Sequence, residues 1–277
     1  MTKTIVVLAA GMSSRMKKSA DSEIDTKKAD EANKKSKSLI TFGNKPFIYF
    51  LLKNISNAGF ETVIMVVGND HDDFKSQIDL LDITSKLEIK YATQKIPRDR
   101  VKPFGTADAV FQTMEQIPEL QNESFCVCNS DNLYSSSSFK LIRENSFENA
   151  VLAYDRDSLE FPKVRVSSFS ILMMDGDFNL VNFIEKPTPE QVVENLDENG
   201  KIRVSMNIFK FNGNHAFDFI KNCPINPIRI EKELPSAIVN MISDNSFYMK
   251  GIPIAEHVPD LTSKADINII QKLIDSD

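Results

Sequence analysis

Ile5-Val6-Val7-Leu8-Ala9-Ala10-Gly11-Met12-Ser13-Ser14-Arg15-Met16 joins an uninterrupted apolar run to two alanines, a glycine, two serines and an arginine. A strand buried on both faces of a parallel sheet reads as such a run. Small residues at its carboxyl end let a ligand approach the main chain, and Gly11 supplies the freedom for a tight turn. A helix starting just beyond would add the positive end of its dipole, and Arg15 a full charge. Leu8, Ala9, Ala10, Gly11, Met12, Ser13 and Ser14 are therefore the expected seat of a phosphate chain. The same stretch also suits an ordinary strand, turn and helix opening an α/β domain, so the rest of the sequence decides.

Downstream, strands alternate with helices. Phe47, Ile48, Leu51, Leu52 and Ile55 repeat at helical spacing between Pro46 and Ala58, with the proline where a first turn tolerates it. Strand-like runs follow at 62–67, 87–92, 125–129 and 150–154, with an acidic helix start at Asp70 to Asp73. That rhythm implies a mixed, mostly parallel sheet with helices on both faces, whose ligands sit beyond the carboxyl ends of the strands. Gly11 and Asp131 both follow strands there. After about residue 160 the pattern turns to hairpins: 171–174, then Asp175-Gly176, then 180–184. A helix over 189–196, a strand over 203–211 and helices over 231–241 and 263–274 complete the reading. No linker or repeat interrupts it. The expected organisation is one domain over 1–277, with a nucleotide-binding half (1–155) and an acceptor-binding half (156–277).

Between Lys17 and Lys37 there are seven lysines, five acids and only Ile24 as a sizeable aliphatic residue, so this segment is expected to be a mobile charged loop. Overall, 33 basic residues face 39 acidic ones for a net charge of −6, which argues against a nucleic-acid groove or an anionic membrane partner. No apolar stretch approaches the roughly 20 residues that span a bilayer, and no signal peptide is evident, so a soluble, cytoplasmic protein is expected, with homo-oligomerisation open. Cys126, Cys128 and Cys223 have no metal spacing and read as buried small hydrophobes. His71, His215 and His257 are scattered and read as surface or edge residues.

Asp131 directly follows a buried strand, placed either to hold a hard cation such as Mg²⁺ or to cap the next helix or turn. Asp260 offers a second carboxylate, or the start of the last helix. Gly105, at the head of Gly105-Thr106-Ala107-Asp108-Ala109, permits close approach of a flat ligand, and Gln94 can read a base edge; a plain helix start is the rival. Glu185 and Lys186 end a strand side by side. No nucleophile stands beside a base. A phosphate oxygen as nucleophile needs none, since it is already ionised at neutral pH, and catalysis then reduces to alignment and charge neutralisation.

These segments, in this order from Leu8 to about Asp260, resemble the sugar-phosphate nucleotidyltransferases. That family has a Leu-Ala-x-Gly-x-Gly-Thr/Ser-Arg turn, a Lys-x-Leu, a Gln before Pro-x-Gly-Thr-Ala, a strand-end Asp and Glu-Lys-Pro. The resemblance implies a glycosyltransferase-A-like fold and transfer of NMP from an NTP to a sugar 1-phosphate, releasing pyrophosphate. By it, the glycine loop holds the triphosphate, and Arg15 with Lys37 stabilises the departing pyrophosphate. Gln94, Gly105 and Thr106 adjoin the base, and Asp131 with Asp260 carries Mg²⁺. Glu185 and Asn207 adjoin the acceptor, whose phosphate meets Lys186. The chain departs from the pattern at three places: Ser13 stands for the second glycine, Asn132 for a second aspartate, and Ser205-x-Asn207 for Asn-x-Gly. Lys34 and Lys35 rival Lys37 as the loop lysine. Two further readings stay open: a non-catalytic binding protein for nucleotides or sugar phosphates, and a cytidylyltransferase acting on a phosphorylated alcohol such as phosphocholine. The absence of Gly-x-Gly-x-x-Gly argues against a dinucleotide oxidoreductase.

Overall fold

A computed structural model describes residues 1–20, 24–69, 72–227, 229–244 and 248–276. Asp70 and His71 lie outside the described residues. The apolar run forms β1 (Thr4–Leu8), followed by α1 (Ser14–Lys18), α2 (Thr26–Lys34) and the short pair β2 (Thr41–Phe42) and β3 (Lys45–Pro46). Then come α3 (Phe47–Asn57), β4 (Thr62–Val67), α4 (Asp72–Asp79), β5 (Glu88–Thr93), α5 (Thr106–Gln116), β6 (Ser124–Asn129), α6 (Ser136–Glu144) and β7 (Ala150–Asp155). The second half adds α7 (Lys163–Val166), β8 (Ile171–Met174), β9 (Leu180–Ile184), α8 (Pro189–Glu194) and β10 (Arg203–Asn212). It ends with α9 (Gly213–Lys221), α10 (Leu234–Ile242), β11 (Lys250–Ile254) and α11 (Ala265–Ser276).

One mixed sheet runs through both halves in the order β11-β7-β10-β6-β1-β4-β5, extended by β8 on β10 and β9 on β8. β1 pairs in parallel with β4 and β6, while β10 runs antiparallel to β6 and β7. The central position of β1 explains its unbroken apolar run, because both faces are covered. Ile5 and Val7 join the core beneath α3, α4 and α6, and Val6 joins the core beneath α5, α9 and α10. Cys126 and Cys128 share the first of these faces as free, buried thiols, and burial pushes Cys126 up to about 12. The 171–184 hairpin forms as expected. Helix α9 was not among the elements expected from sequence; it is held by Ala216 and Ile220, both buried, with Asn212 capping its start.

The charged segment 17–37 departs from expectation. Where it is described it is not a mobile loop but mostly helix, with α1 reaching Lys18, α2 spanning Thr26–Lys34 and a 3₁₀ turn at Lys37–Leu39. Two small residues at helical spacing, Ala29 and Ala32, are buried, and Ala32 packs in a cluster with Met16, Ile40, Phe42 and Ile267. Asp25 caps the helix. Lys28 donates to Gln271 on α11 at 2.6 Å, and the Glu31 carboxylate accepts from the Thr41 backbone N–H at 2.9 Å. Alanine methyls and buried polar contacts supplied the order that a count of aliphatic residues could not reveal.

Candidate active site

A cavity of about 350 Å³ opens at the carboxyl ends of β1, β5 and β6. Of the residues expected from sequence, Leu8, Ala9, Ala10, Gly11, Met12, Ser14, Lys37, Gln94, Gly105, Thr106 and Asp131 line it. The backbone N–H of Ala9 is spent on the Val66 carbonyl. Those of Ala10, Gly11, Met12 and Ser13 donate to nothing among the described residues, and the first turn of α1 adds its own free donors. Consecutive unpaired N–H groups around a turn make an anion-binding concavity. Ser13 adopts the left-handed conformation (φ 54°, ψ 30°), so the backbone shape is kept although glycine is absent.

Opposite the turn, Asp131 pairs with the ammonium of Lys37. Both are largely buried, whereas Lys34 pairs with Asp30 and Lys35 with Glu31. Asp131 does not cap α6, whose N-cap is Ser135. Asp260 lies outside the cavity lining but adjoins Asp131, through a bridge between Asn132 and Asp260 and an N–H from Leu261 to the Asp131 carbonyl at 2.8 Å. Burial raises the Asp260 pKa first and the Asp131 charge raises it further, while Arg165 opposes both. Arg165, from α7, donates to Asp260 Oδ2 at 2.8 Å and to Asp266 Oδ1 at 2.6 Å. Asp266, not Asp260, organises the start of α11 by accepting from the N–H groups of Thr262 and Ser263.

Two carboxylates that repel each other form an oxygen donor set suited to a hard divalent cation. Asp131 Oδ1 has no partner among the described residues, whereas Asp260 offers its oxygens only by exchanging Arg165 and the Thr262 hydroxyl. Among the described residues no group of three or more His, Cys, Asp or Glu is placed to hold a metal. Mg²⁺ commonly takes one or two carboxylates and completes its shell with water and substrate phosphates, so the pair fits that ion.

Gln94 is buried, and its amide N–H₂ donates to the Gly105 carbonyl at 3.0 Å and to Asp108 at 2.8 Å. Both partners only accept, so the amide orientation is fixed and Oε1 is left as the acceptor. Gly105 (φ 103°) packs so tightly against residue 232 that a Cβ would collide with the Lys232 carbonyl. That contact brings Glu231 and Glu233 into the cavity wall, ahead of α10, where sequence reading expected a helix over 231–241.

The expected acceptor residues are arranged differently. Lys186 and Asn207 are exposed, both with left-handed backbone (φ 47° and 58°), and neither lines the cavity. Asn207 sits in a β10 bulge held by the Tyr134 hydroxyl, which donates to the Met206 carbonyl at 2.6 Å. Glu185 lies 3.9 Å from Arg229, which pairs with Glu233 at 2.5 Å. Arg15 is exposed on α1 outside the lining. His257 is not a free surface residue: its ring packs on Phe161, and Nδ1 accepts the Glu160 N–H at 3.1 Å.

The glycine turn, the Asp131–Lys37 pair and the Gln94–Gly105 wall thus meet in one cavity. A profile of the Nucleotidyl transferase family matches residues 32–252. The chain belongs to that family. Among curated relatives, a glucose-1-phosphate adenylyltransferase of Hydrogenovibrio crunogenus is 23% identical over 229 residues, covering 80% of this chain and 50% of that protein. A bifunctional protein GlmU of Staphylococcus haemolyticus is 22% identical, covering 97% of this chain and 50% of its own length. The chain therefore spans about half the length of the curated relatives it matches. A UDP-glucose pyrophosphorylase solved with UDP-glucose shares the fold, with a TM-score of 0.70 at 15% identity over 100% of this chain and 99% of that one. Among the described residues, no helix of this nucleotidyl transferase family member is long and apolar enough to cross a membrane.

Proposed function

We propose that the protein transfers a nucleoside monophosphate from an NTP to a sugar 1-phosphate, or a similar phosphorylated acceptor, giving an NDP-sugar and pyrophosphate. The observation that carries this reading is the union in one cavity of the unpaired N–H groups of Ala10 to Ser13 with the Asp131–Lys37 pair. The turn holds phosphate oxygens, and Lys37 offsets the charge that grows at the α-phosphorus. Gln94 and Gly105 hold the base. Asp131, with Asp260 after release from Arg165, would bind Mg²⁺, which supplies charge neutralisation at the α-phosphate. The acceptor phosphate is already ionised, so alignment replaces a general base. Glu185, Lys186 and Asn207 lie on the acceptor side, where Arg229 joins Glu185 to the cavity residue Glu233. Residues 1–155 would form the nucleotide half and 156–277 the acceptor half, with Glu231 and Glu233 crossing from the second to the first. Such substrates are cytoplasmic metabolites, and a cytoplasmic location follows from the proposal.

The test is a pyrophosphate-release screen with Mg²⁺, four NTPs, and a panel of phosphorylated sugars and alcohols that includes phosphocholine. Release with one sugar phosphate supports the proposal. Release only with phosphocholine moves the acceptor to a phosphorylated alcohol. Nucleotide binding with no release from any pair would make the protein a binding module.

A further inference from the structure

A cavity of about 230 Å³ lies apart from the candidate active site and shares no lining residue with it. One wall is the β8–β9 hairpin, with Leu172, Met174 and Phe178, and the other is the end of α8 and the turn behind it, with Glu194, Asp197 and Glu198. Arg203, the first residue of β10, lines it too. Both walls are fixed. The Gly251 N–H donates to the Phe178 carbonyl at 2.8 Å, the Leu180 N–H to the Met249 carbonyl at 2.8 Å, and the Met174 sulfur sits where a Cβ on Gly251 would stand. On the other side, Asp197 Oδ1 accepts from the N–H groups of Asn199 at 2.9 Å and Lys201 at 2.8 Å.

The Arg203 side chain is only 9% exposed, and its Nε donates to Asp197 Oδ2 at 2.7 Å. Its two terminal nitrogens have no protein partner among the described residues, yet neither is sealed from solvent. Because the residue lines the cavity, those donors open into it. Buried polar groups are ordinarily paired, so a buried guanidinium with free donors calls for a ligand. Asp197 locks the guanidinium plane, and the end-on fork is held ready for two oxygens of one planar group. At the rim, Glu194 and Glu198 are exposed and make no hydrogen bond or ion pair among the described residues. Asp175 is spent on its own turn, accepting from the N–H groups of Asp177 and Asn179. Four carboxylates around one guanidinium disfavour a dianion such as phosphate.

We propose that this cavity is a ligand site for a small zwitterion of the α-amino-acid class, with its carboxylate on the Arg203 fork, its ammonium at Glu194 and Glu198, and its apolar part against Leu172, Met174 and Phe178. Such a ligand meets both signs of charge in the site and adds no net charge of its own. The volume lies below the roughly 300 Å³ at which pockets for drug-sized ligands begin, which limits the occupant to a small metabolite. Fixed walls keep the ordering cost of binding low. The site does not depend on the transferase reading, because none of its residues lines the catalytic cavity.

The test measures binding of the free α-amino acids, one at a time, to the whole protein by calorimetry and by the rise in Tm, beside acetate, methylammonium, inorganic phosphate and glucose. At least one amino acid should bind, with acetate and methylammonium each weaker by about tenfold or more, because each meets only one end of the site. Glu194→Gln/Glu198→Gln changes exposed side chains, so it should keep the wild-type Tm without ligand and weaken that amino acid by roughly tenfold or more. Arg203→Lys should weaken it too, since an ammonium cannot present the fork. No amino acid bound at millimolar concentration, equal affinity in the glutamine variant, or a preference for phosphate or glucose overturns the assignment.

Discussion

The hydroxyl of Ser13 accepts a hydrogen bond from the backbone N–H of Lys37 at 3.1 Å, so the turn that closes β1 and the lysine that meets Asp131 are fastened to each other. A glycine at position 13 would suit the left-handed backbone but could not make this bond. Ser13→Ala keeps the conformational cost and loses the acceptor, and should destabilise by about 1 kcal/mol. Ser13→Gly loses the same bond but regains roughly 1 kcal/mol of backbone strain, so it should unfold close to wild type in denaturant. Equal midpoints for the two variants would contradict the left-handed assignment.

Asp131→Asn preserves shape and removes the charge that faces Lys37. Turnover is expected to fall by on the order of 10²–10³, the size of losing one major electrostatic element. Lys37→Met should fall comparably. Steady-state pyrophosphate release measures both, and an unchanged rate removes the residue from the site.

Arg165→Met leaves Asp260 and Asp266 without their cation. The half-buried position suggests a loss of about 2–3 kcal/mol, below the range for a fully buried pair. Mg²⁺ should restore part of it by binding the unpaired Asp260 carboxylate with Asp131, giving a larger Mg²⁺-induced rise in Tm than in wild type. A rise no larger than wild type would argue against Asp260 as a metal ligand.

Gly105→Ala is expected to be severe, since the new methyl meets the Lys232 carbonyl at a positive φ. A cost of about 2–3 kcal/mol and a raised KM for NTP should appear together, because the same contact shapes the base wall. Thermal unfolding and NTP saturation curves report the two effects.

Burial lowers the His257 pKa below its usual 6.5, Arg165 acting in the same sense and Glu160 opposing. The unfolded chain therefore takes up this proton before the folded one does. Stability falls as pH drops below about 6.5 and levels off beneath the folded value. His257→Gln should flatten that part of the stability–pH profile. An identical slope in the variant would show that His257 does not contribute to it.

The fold was legible because β1, β4 and β6 are covered on both faces and their apolar runs announce it. Gly11, Gln94, Gly105 and Asp131 were legible as strand-end or turn residues, and they do converge. Other parts depended on information that no local pattern carries. Arg165 reaches Asp260 across 95 positions of sequence, and Glu233 enters the cavity only because residue 232 packs on Gly105. Lys186 and Asn207 follow the motif order, but their left-handed backbones leave them exposed outside the cavity, a consequence of strand-end and bulge geometry. Helix α2 was hidden because alanine, the residue it buries, contributes little to any hydropathy signal.

The packing of that helix has a bearing on how the chain could be shortened. Removing residues 24–36 would strip the cover from Met16, Ile40 and Phe42 and cut the ties from Lys28 to Gln271 and from Glu31 to Thr41. The segment is a wall of the building and not an awning over its door, and trimming it should yield an aggregating protein instead of a leaner one.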